Sequence, residues 1–334
     1  MIDYSMYGGT PYVSRLNPGP VAYGADPAQQ VWGFGWIPPD DRTSEEQQIV
    51  EATIAEMPRF EISGRKSDDP KKAVMWECSK VVNNGQHFRT FYQKTGSCVG
   101  NGGGQATWYL SAVEVVRLKD PEQALLPFYL LPYGRSRMYA GMRGRGDGSF
   151  GSAFAKAIRT DGVLPANTEG LPKYTDEGGI SWGSSAEYEW SDGEAIAAKW
   201  LEKSRKYLVK TTAQLKSADD AREALRNYYP CTIASDWGGQ MSPSVQDGVL
   251  LNRRVTTWQH QMSLQGWWDH PTLGEIFYIL NSWGVGAHGQ PPDDSPPGGF
   301  WVKKADVENI VRQGDSFAFS QFDGFPAQDL SWYV

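Results

Sequence analysis

Cysteine and histidine are scarce in this chain, with three of one and four of the other among 334 residues. Cys78, Cys98 and Cys231 are too few and too far apart for a disulfide framework, and their odd number leaves at least one free thiol. A reducing, cytoplasmic location is therefore expected. No Cys-x-x-Cys or His-x-x-His pair occurs, so the sequence lacks the closely spaced ligands of a zinc site, and no metal or other cofactor is implied. Long apolar runs are missing too: nothing approaches the roughly 18 residues of a membrane span. The opening MIDYSMYGGTPYVSRLN has neither a basic nor an apolar leader region, so neither a membrane partner nor secretion through a signal peptide is expected. Basic residues are outnumbered, 32 Lys and Arg against 39 Asp and Glu, and a net charge of −7 argues against a nucleic-acid surface. Arg135, Arg137, Arg143 and Arg145 form one local basic stretch that reads as a solvated loop.

Glycine, proline and aromatic residues are plentiful. Residues 1–42, with NPGP, YGADP and IPPDD, follow neither hydrophobic period and read as an extended arm. TSEEQQ then offers two capping-box pairs, Thr43 with Glu46 and Ser44 with Gln47, which predict a short helix to about Pro58. GRKSDDPKK, residues 64–72, reads as a charged linker. From Cys98, the apolar positions Trp108, Leu110, Val113, Val116 and Leu118 recur at helical spacing until Pro121, predicting a central helix. Further helices are expected over 149–162, from Ser191 with Glu194, and from Ser217 with Asp220. After Pro230 the character changes to short β-rich runs such as CTIASDW, HQMSLQGWW and EIFYILNSW. Residues 284–299 carry four prolines and read as a loop inserted between strands. An α+β chain of two packed lobes follows, mainly helical over 43–190 and mainly β over 191–334.

Five glycines stand between Gly96 and Gly104, each weakening a helix by roughly 1 kcal/mol relative to alanine. They make no nucleotide cradle, because no lysine follows them and no apolar strand precedes them. What remains is a cysteine in the first turn of a helix, where unpaired N–H groups and the helix dipole favour a thiolate and stand where an oxyanion would form. A thiol nucleophile needs a base. His260, in TTWQHQMSLQGWW, sits near the start of a strand, and Asn281 closes the apolar run EIFYIL; its amide can accept an imidazole N–H, fixing the ring without charge. Trp283 stands where it would shield that bond from water. His288, in the proline-rich loop, reads as a solvated histidine, and Cys78 and Cys231 as small core residues.

Four segments together resemble the papain family of cysteine peptidases, in that family's order: GSCVGN around Cys98, GDGSFGSAFAKAIRTDGVLP at 146–165, GVLLNRRVTTWQHQMSLQGW around His260, and YILNSWGVG followed by GGFWVKKADVENI. Valine after the cysteine resembles the bacterial and phage branch. The resemblance spans about residues 75–320 and implies a two-lobe fold, with a Cys-bearing central helix in a helical lobe and an antiparallel, barrel-like β lobe. It also implies Cys98 as nucleophile, His260 as general base and acid, Asn281 as orienting residue and a peptide or protein as substrate. The family's oxyanion glutamine falls six positions before the nucleophile; here Tyr92 stands there and Gln93 lies one place closer. Gly96 would form the turn presenting Cys98, and Gly100 to Gly104 would let the opposite lobe approach. Trp283, Trp258 and Gly96 are candidate substrate contacts, with Met138 and Leu264 as further guesses for the specificity pocket. Ahead of the cysteine the chain is longer than a mature family member. Residues 1–42 would either cover the cleft as an inhibitor in cis or dock the protein onto a larger assembly, and docking is the favoured expectation. Two alternatives remain: a structural virion component on the same scaffold, located in the virion, and a peptidoglycan amidase, against which Asn281-Ser282-Trp283-Gly284 argues.

Overall fold

A computed structural model describes residues 34–63, 70–117, 124, 126–142, 144, 146–175, 178–192, 197–321 and 324–326. Helix α1 (Ser44–Ala55) opens on a complete capping box: the Thr43 hydroxyl accepts the Glu46 N–H at 3.2 Å, and the Glu46 carboxylate accepts the Thr43 N–H at 2.7 Å. The alternative partner Gln47 instead donates to Glu51 one turn on. Then come α2 (Trp76–Val82), α3 (Cys98–Arg117), α4 (Leu130–Tyr139), α5 (Gly151–Thr160), α6 (Gly183–Trp190), α7 (Leu201–Ser204), α8 (Ala218–Arg226) and α9 (Lys304–Val311). The central helix begins on Cys98 as expected; Pro121 and the linker residues 64–69 lie outside the described residues. Ser217 caps α8 through a 3.1 Å bond from the Asp220 N–H. Of the pair expected to open a helix, Glu194 lies outside the described residues and only Ser191 is placed. It follows α6, and its hydroxyl donates back to the Tyr188 carbonyl at 2.7 Å, a local bond that closes a helix rather than starting one.

Short strands β1 (Ile62–Ser63) and β13 (Phe325–Pro326) pair with each other, as do β3 (Pro127–Phe128) and β4 (Leu164–Pro165). The main sheet is built from β2 (Lys72–Val74), β5 (Thr211–Gln214), β6 (Cys231–Gly238), β7 (Ser244–Gln246), β8 (Val249–Leu251), β9 (Thr256–His270), β10 (Gly274–Leu280), β11 (Gly299–Lys303) and β12 (Phe317–Ser320). Its order is β5-β12-β6-β9-β10-β11-β8-β7, with β2 also on β9, and all its pairs but β8–β11 are antiparallel. The 15-residue β9 is the hub: β6 pairs along its first part, β2 near its end, and β10 along its other edge. Among the described residues β5 and β7 remain unpaired with each other, so the sheet is open where a barrel-like closure was expected. Residues 281–298 connect β10 to β11, and the proline-rich stretch expected as a loop lies within them up to residue 298, Gly299 opening β11.

Arg135 and Arg137 are buried within α4 rather than solvated. Arg135 pairs with Asp161 at 2.7 Å, and Arg137 donates to the carbonyls of Gly148, Met142 and Ser191. Arg143 and Arg145 lie outside the described residues. Cys78 and Cys231 are core residues.

From Cys98 to Leu110, α3 is buried on every side, and its glycines serve three neighbours rather than one. A Cβ on Gly102 would press on the Gln261 carbonyl of β9 at 3.0 Å, one on Gly103 would overlap the Phe154 ring of α5, and one on Gly100 or Gly104 would meet Tyr133 or Tyr129. Propensity alone says that Gly103→Ala stabilises the helix by roughly 1 kcal/mol. The overlap with Phe154 reverses the sign, and a net loss of about 1–3 kcal/mol is expected in chemical denaturation. A more stable variant would contradict this packing.

Candidate active site

Cys98, the first residue of α3, follows a loop held by two acidic side chains. Asp147 accepts the Gly96 N–H at 2.8 Å, and Glu187 accepts the Lys94 N–H at 3.2 Å and the Thr95 hydroxyl at 2.6 Å while also pairing with the Tyr129 hydroxyl. Gly96 has no left-handed backbone angle. Its side-chain-free face is needed for close approach instead, since a Cβ there would stand 2.7 Å from the Phe34 carbonyl oxygen. The Cys98 sulfur accepts the N–H of Gln261 at 3.4 Å, which seats the start of α3 against β9 one residue from His260.

His260 Nε2 lies 2.8 Å from Asn281 Oδ1. The same Oδ1 is 2.7 Å from the N–H of Ser282, a group that can only donate, so this atom is the amide oxygen and His260 Nε2 carries the proton. Nδ1 therefore presents a lone pair, and it is buried without a hydrogen-bond partner. Trp283 stacks on the imidazole, with centroids 4.9 Å apart and planes at 26°, covering the His260–Asn281 bond. Gln93 reaches the group despite its displaced register: its Oε1 accepts the Ser282 hydroxyl at 2.6 Å, its backbone N–H meets the Ser282 carbonyl at 2.9 Å, and its Nε2 donates to the Thr95 carbonyl at 3.0 Å.

The other sequence candidates fall differently. Trp258 is buried edge-on against Trp283, at 4.8 Å, and forms a wall behind the site rather than an open contact surface. Leu264 lies in the sheet core opposite Ile279. Met138 belongs to α4, its sulfur facing Arg135. His288, read from the sequence as solvated, is 3% exposed, and its Nε2 is 2.9 Å from Asn281 Nδ2.

Residues 34–37 lie across Cys98. Phe34 stands edge-on to His260 and Trp283, with centroids 6.2 Å and 6.1 Å away. A Cβ on Gly35 would overlap the Gly96 carbonyl oxygen. The Gly35 carbonyl accepts the Ser149 N–H at 2.8 Å, and the Trp36 N–H donates to the Gln259 carbonyl at 3.2 Å. Asp315 holds this segment down: it accepts Trp36 Nε1–H at 2.7 Å and the N–H groups of Gly151 and Ser152 at 2.8 Å and 2.7 Å, with Arg42 at 3.6 Å. No side chain of its own caps α5, so Asp315 serves as its cap from across the chain.

The cover changes the electrostatics. Burial pushes the Cys98 thiol up to about 12, even though the N–H groups of Gln261, Gly35, Val99 and Trp36 pull it down. Burial also depresses His260 to about 4, with the Asn281 bond opposing and His288 adding to the fall. The thiolate expected at a helix N-terminus is therefore absent from the covered form, because removing all water outweighs the dipole.

Gln105, seven residues along α3, was not singled out from the sequence. Its Oε1 accepts the Phe91 N–H at 3.0 Å and its Nε2 donates to the Asn281 carbonyl at 3.2 Å, tying the Gln93 segment to the Asn281 turn. A glutamine amid buried small and apolar residues was the available signal.

With this geometry, the chain resembles solved structures of cysteine proteases. Xylellain, a cysteine protease from Xylella fastidiosa, superposes over 87% of this chain and 96% of its own with a TM-score of 0.55 at 17% identity. The procathepsin B S9 of Trypanosoma congolense covers 85% of this chain and 92% of its own, with a TM-score of 0.51 at 9% identity. The fold is papain-like. At these identities the likeness concerns the fold alone. No family model and no curated protein matches the sequence. Among the described residues no helix is long and apolar enough to cross a membrane.

Proposed function

We propose that this chain is a cysteine peptidase of the papain type, nearest the bacterial branch, acting through Cys98, His260 and Asn281 and held latent by its own residues 34–42. The observation that carries this reading is the 2.8 Å His260–Asn281 bond under Trp283, which leaves a bare Nδ1 on the residue beside the one that touches the Cys98 sulfur. With the cover withdrawn, His260 Nδ1 takes the thiol proton as Sγ attacks the peptide carbonyl carbon. The tetrahedral oxyanion is met by the Cys98 N–H at the start of α3 and by Gln93 Nε2–H, released from Thr95. His260 then gives its proton to the departing amine. Water, deprotonated by His260, hydrolyses the thioester and restores the thiol.

Residues 34–42 are engaged with the chain's own cleft, which favours inhibition in cis over docking for this part of the arm. Docking to a larger assembly such as a virion would rest on residues 1–33, outside the described residues. The test is hydrolysis of a fluorescently labelled unfolded protein by a Gly35→Ala variant, in which the cover can no longer seat. Turnover is expected, and adding Cys98→Ala should abolish it without shifting the thermal melt. Turnover that survives Cys98→Ala would sink the reading, and cleavage of peptidoglycan sacculi alone would favour the amidase.

A further inference from the structure

We infer that His288 is a positioning residue for the proposed triad: it fixes the orientation of the Asn281 carboxamide and, through it, the tautomer of His260. The assignment rests on the peptidase reading only for its consequence in turnover. The carboxamide lies between two imidazoles, Oδ1 at 2.8 Å from His260 Nε2 and Nδ2 at 2.9 Å from His288 Nε2. Because the Ser282 N–H identifies Oδ1, the atom facing His288 is the NH2 group, and His288 Nε2 must accept. The proton of His288 is then on Nδ1, which stands 3.1 Å from the Met241 carbonyl, an atom that can only accept. Two backbone groups, Ser282 N–H and Met241 C=O, thus bracket a chain of three side chains, and one proton assignment satisfies every contact. Turning the amide over would set NH2 against the Ser282 N–H and a carbonyl against a nitrogen lone pair.

No water replaces any member, since Asn281 and His260 are fully buried and His288 is 3% exposed. Packing fixes the His288 ring: Phe300 meets it edge-on at 4.8 Å, and Trp283 and Trp258 flank it at 5.7 Å and 6.0 Å. Its backbone is left-handed, φ 65°, a conformation uncommon outside glycine though less so for histidine than for most residues. Without His288, Asn281 Nδ2 loses its acceptor in a dry site, and one of the two constraints on the carboxamide disappears.

Long-range 1H–15N spectra of the labelled full chain at pH 7 read the tautomers directly. Expected are Nε2–H on His260 and Nδ1–H on His288. In His288→Leu, His260 should become a mixture of tautomers, and His288→Gln, which returns an acceptor, should restore Nε2–H. In the Gly35→Ala background, His288→Leu should lower kcat by roughly tenfold or more, the size of one lost buried hydrogen bond, with KM nearly unchanged. Combined with Asn281→Ala it should cost nothing further. An unaltered His260 tautomer in His288→Leu, or losses that multiply in the double variant, would overturn the assignment. If His288→Leu does not fold, Nε2–H on wild-type His288 overturns it and Nδ1–H with Gln rescue supports it. The expected tautomer changes in a protein without hydrolytic activity would leave His288 as assigned and remove the peptidase reading instead.

Discussion

Gly35→Ala should accelerate alkylation of Cys98 by iodoacetamide at neutral pH by at least about a thousandfold. In the covered form, burial pushes the thiol up to about 12; a return to the ordinary thiol value alone raises the thiolate fraction by about three powers of ten, and pairing with His260 raises it further. A methyl at position 35 cannot coexist with the Gly96 carbonyl, so the segment must lift and water must reach the sulfur. The same shift sets the alkaline behaviour of the wild type. A thiol whose pKa is raised by folding contributes stability that is complete below the unfolded value and is lost as pH rises through about 12, so the cover should loosen between pH 9 and 12. Cys78 and Cys231, both buried away from the cleft, serve as internal controls. Equal labelling of Cys98 in Gly35→Ala and wild type, followed by peptide mass spectrometry, would show that residues 34–37 do not guard the thiol.

The second large effect concerns Asp315. Replacing it with alanine removes at one stroke the partner of Trp36 Nε1, of two N–H groups opening α5 and of the Arg42 guanidinium, itself held to the Ile37 carbonyl at 3.1 Å. Breaking a buried charge pair from one side typically costs about 3–5 kcal/mol. A loss of that order is expected in urea or guanidinium unfolding, together with faster Cys98 alkylation. Asp315→Asn, which can still accept, should lose less. A change below about 1 kcal/mol, the worth of an exposed pair, would mean that Asp315 is not the latch.

The parts of the site that were legible in the sequence are those written in contiguous residues. A cysteine opening a helix, an asparagine at the end of an apolar strand and a tryptophan beside it announce themselves locally, and the structure sets His260 on Asn281 beneath that tryptophan. The α+β class followed from the change of period near Pro230 in the same way. What escaped depends on contacts between distant segments. Asp315 caps a helix more than 160 positions away, and no pattern around it signals that. His288 looked like a loop histidine because its neighbours are Gly, Ala and Gln; its burial comes from Trp283 five residues back and from Trp258 and Phe300 on β9 and β11. The glycines of α3 showed that something packs closely, yet not that Phe154, Tyr133 and Gln261 approach from different sides. A serine that closes a helix and one that opens it have the same composition, and at Ser191 only the preceding turn of α6 shows that it closes one.

The most direct test is the pH dependence of Cys98 alkylation in Gly35→Ala, with and without His260→Ala. With His260 present, a thiolate–imidazolium pair should hold the rate on a plateau through neutral pH. With His260→Ala, the plateau should collapse into a single rise near pH 8.5, the ordinary thiol value. A single rise near 8.5 in both proteins would contradict the pairing of Cys98 with His260 and with it the proposed peptidase.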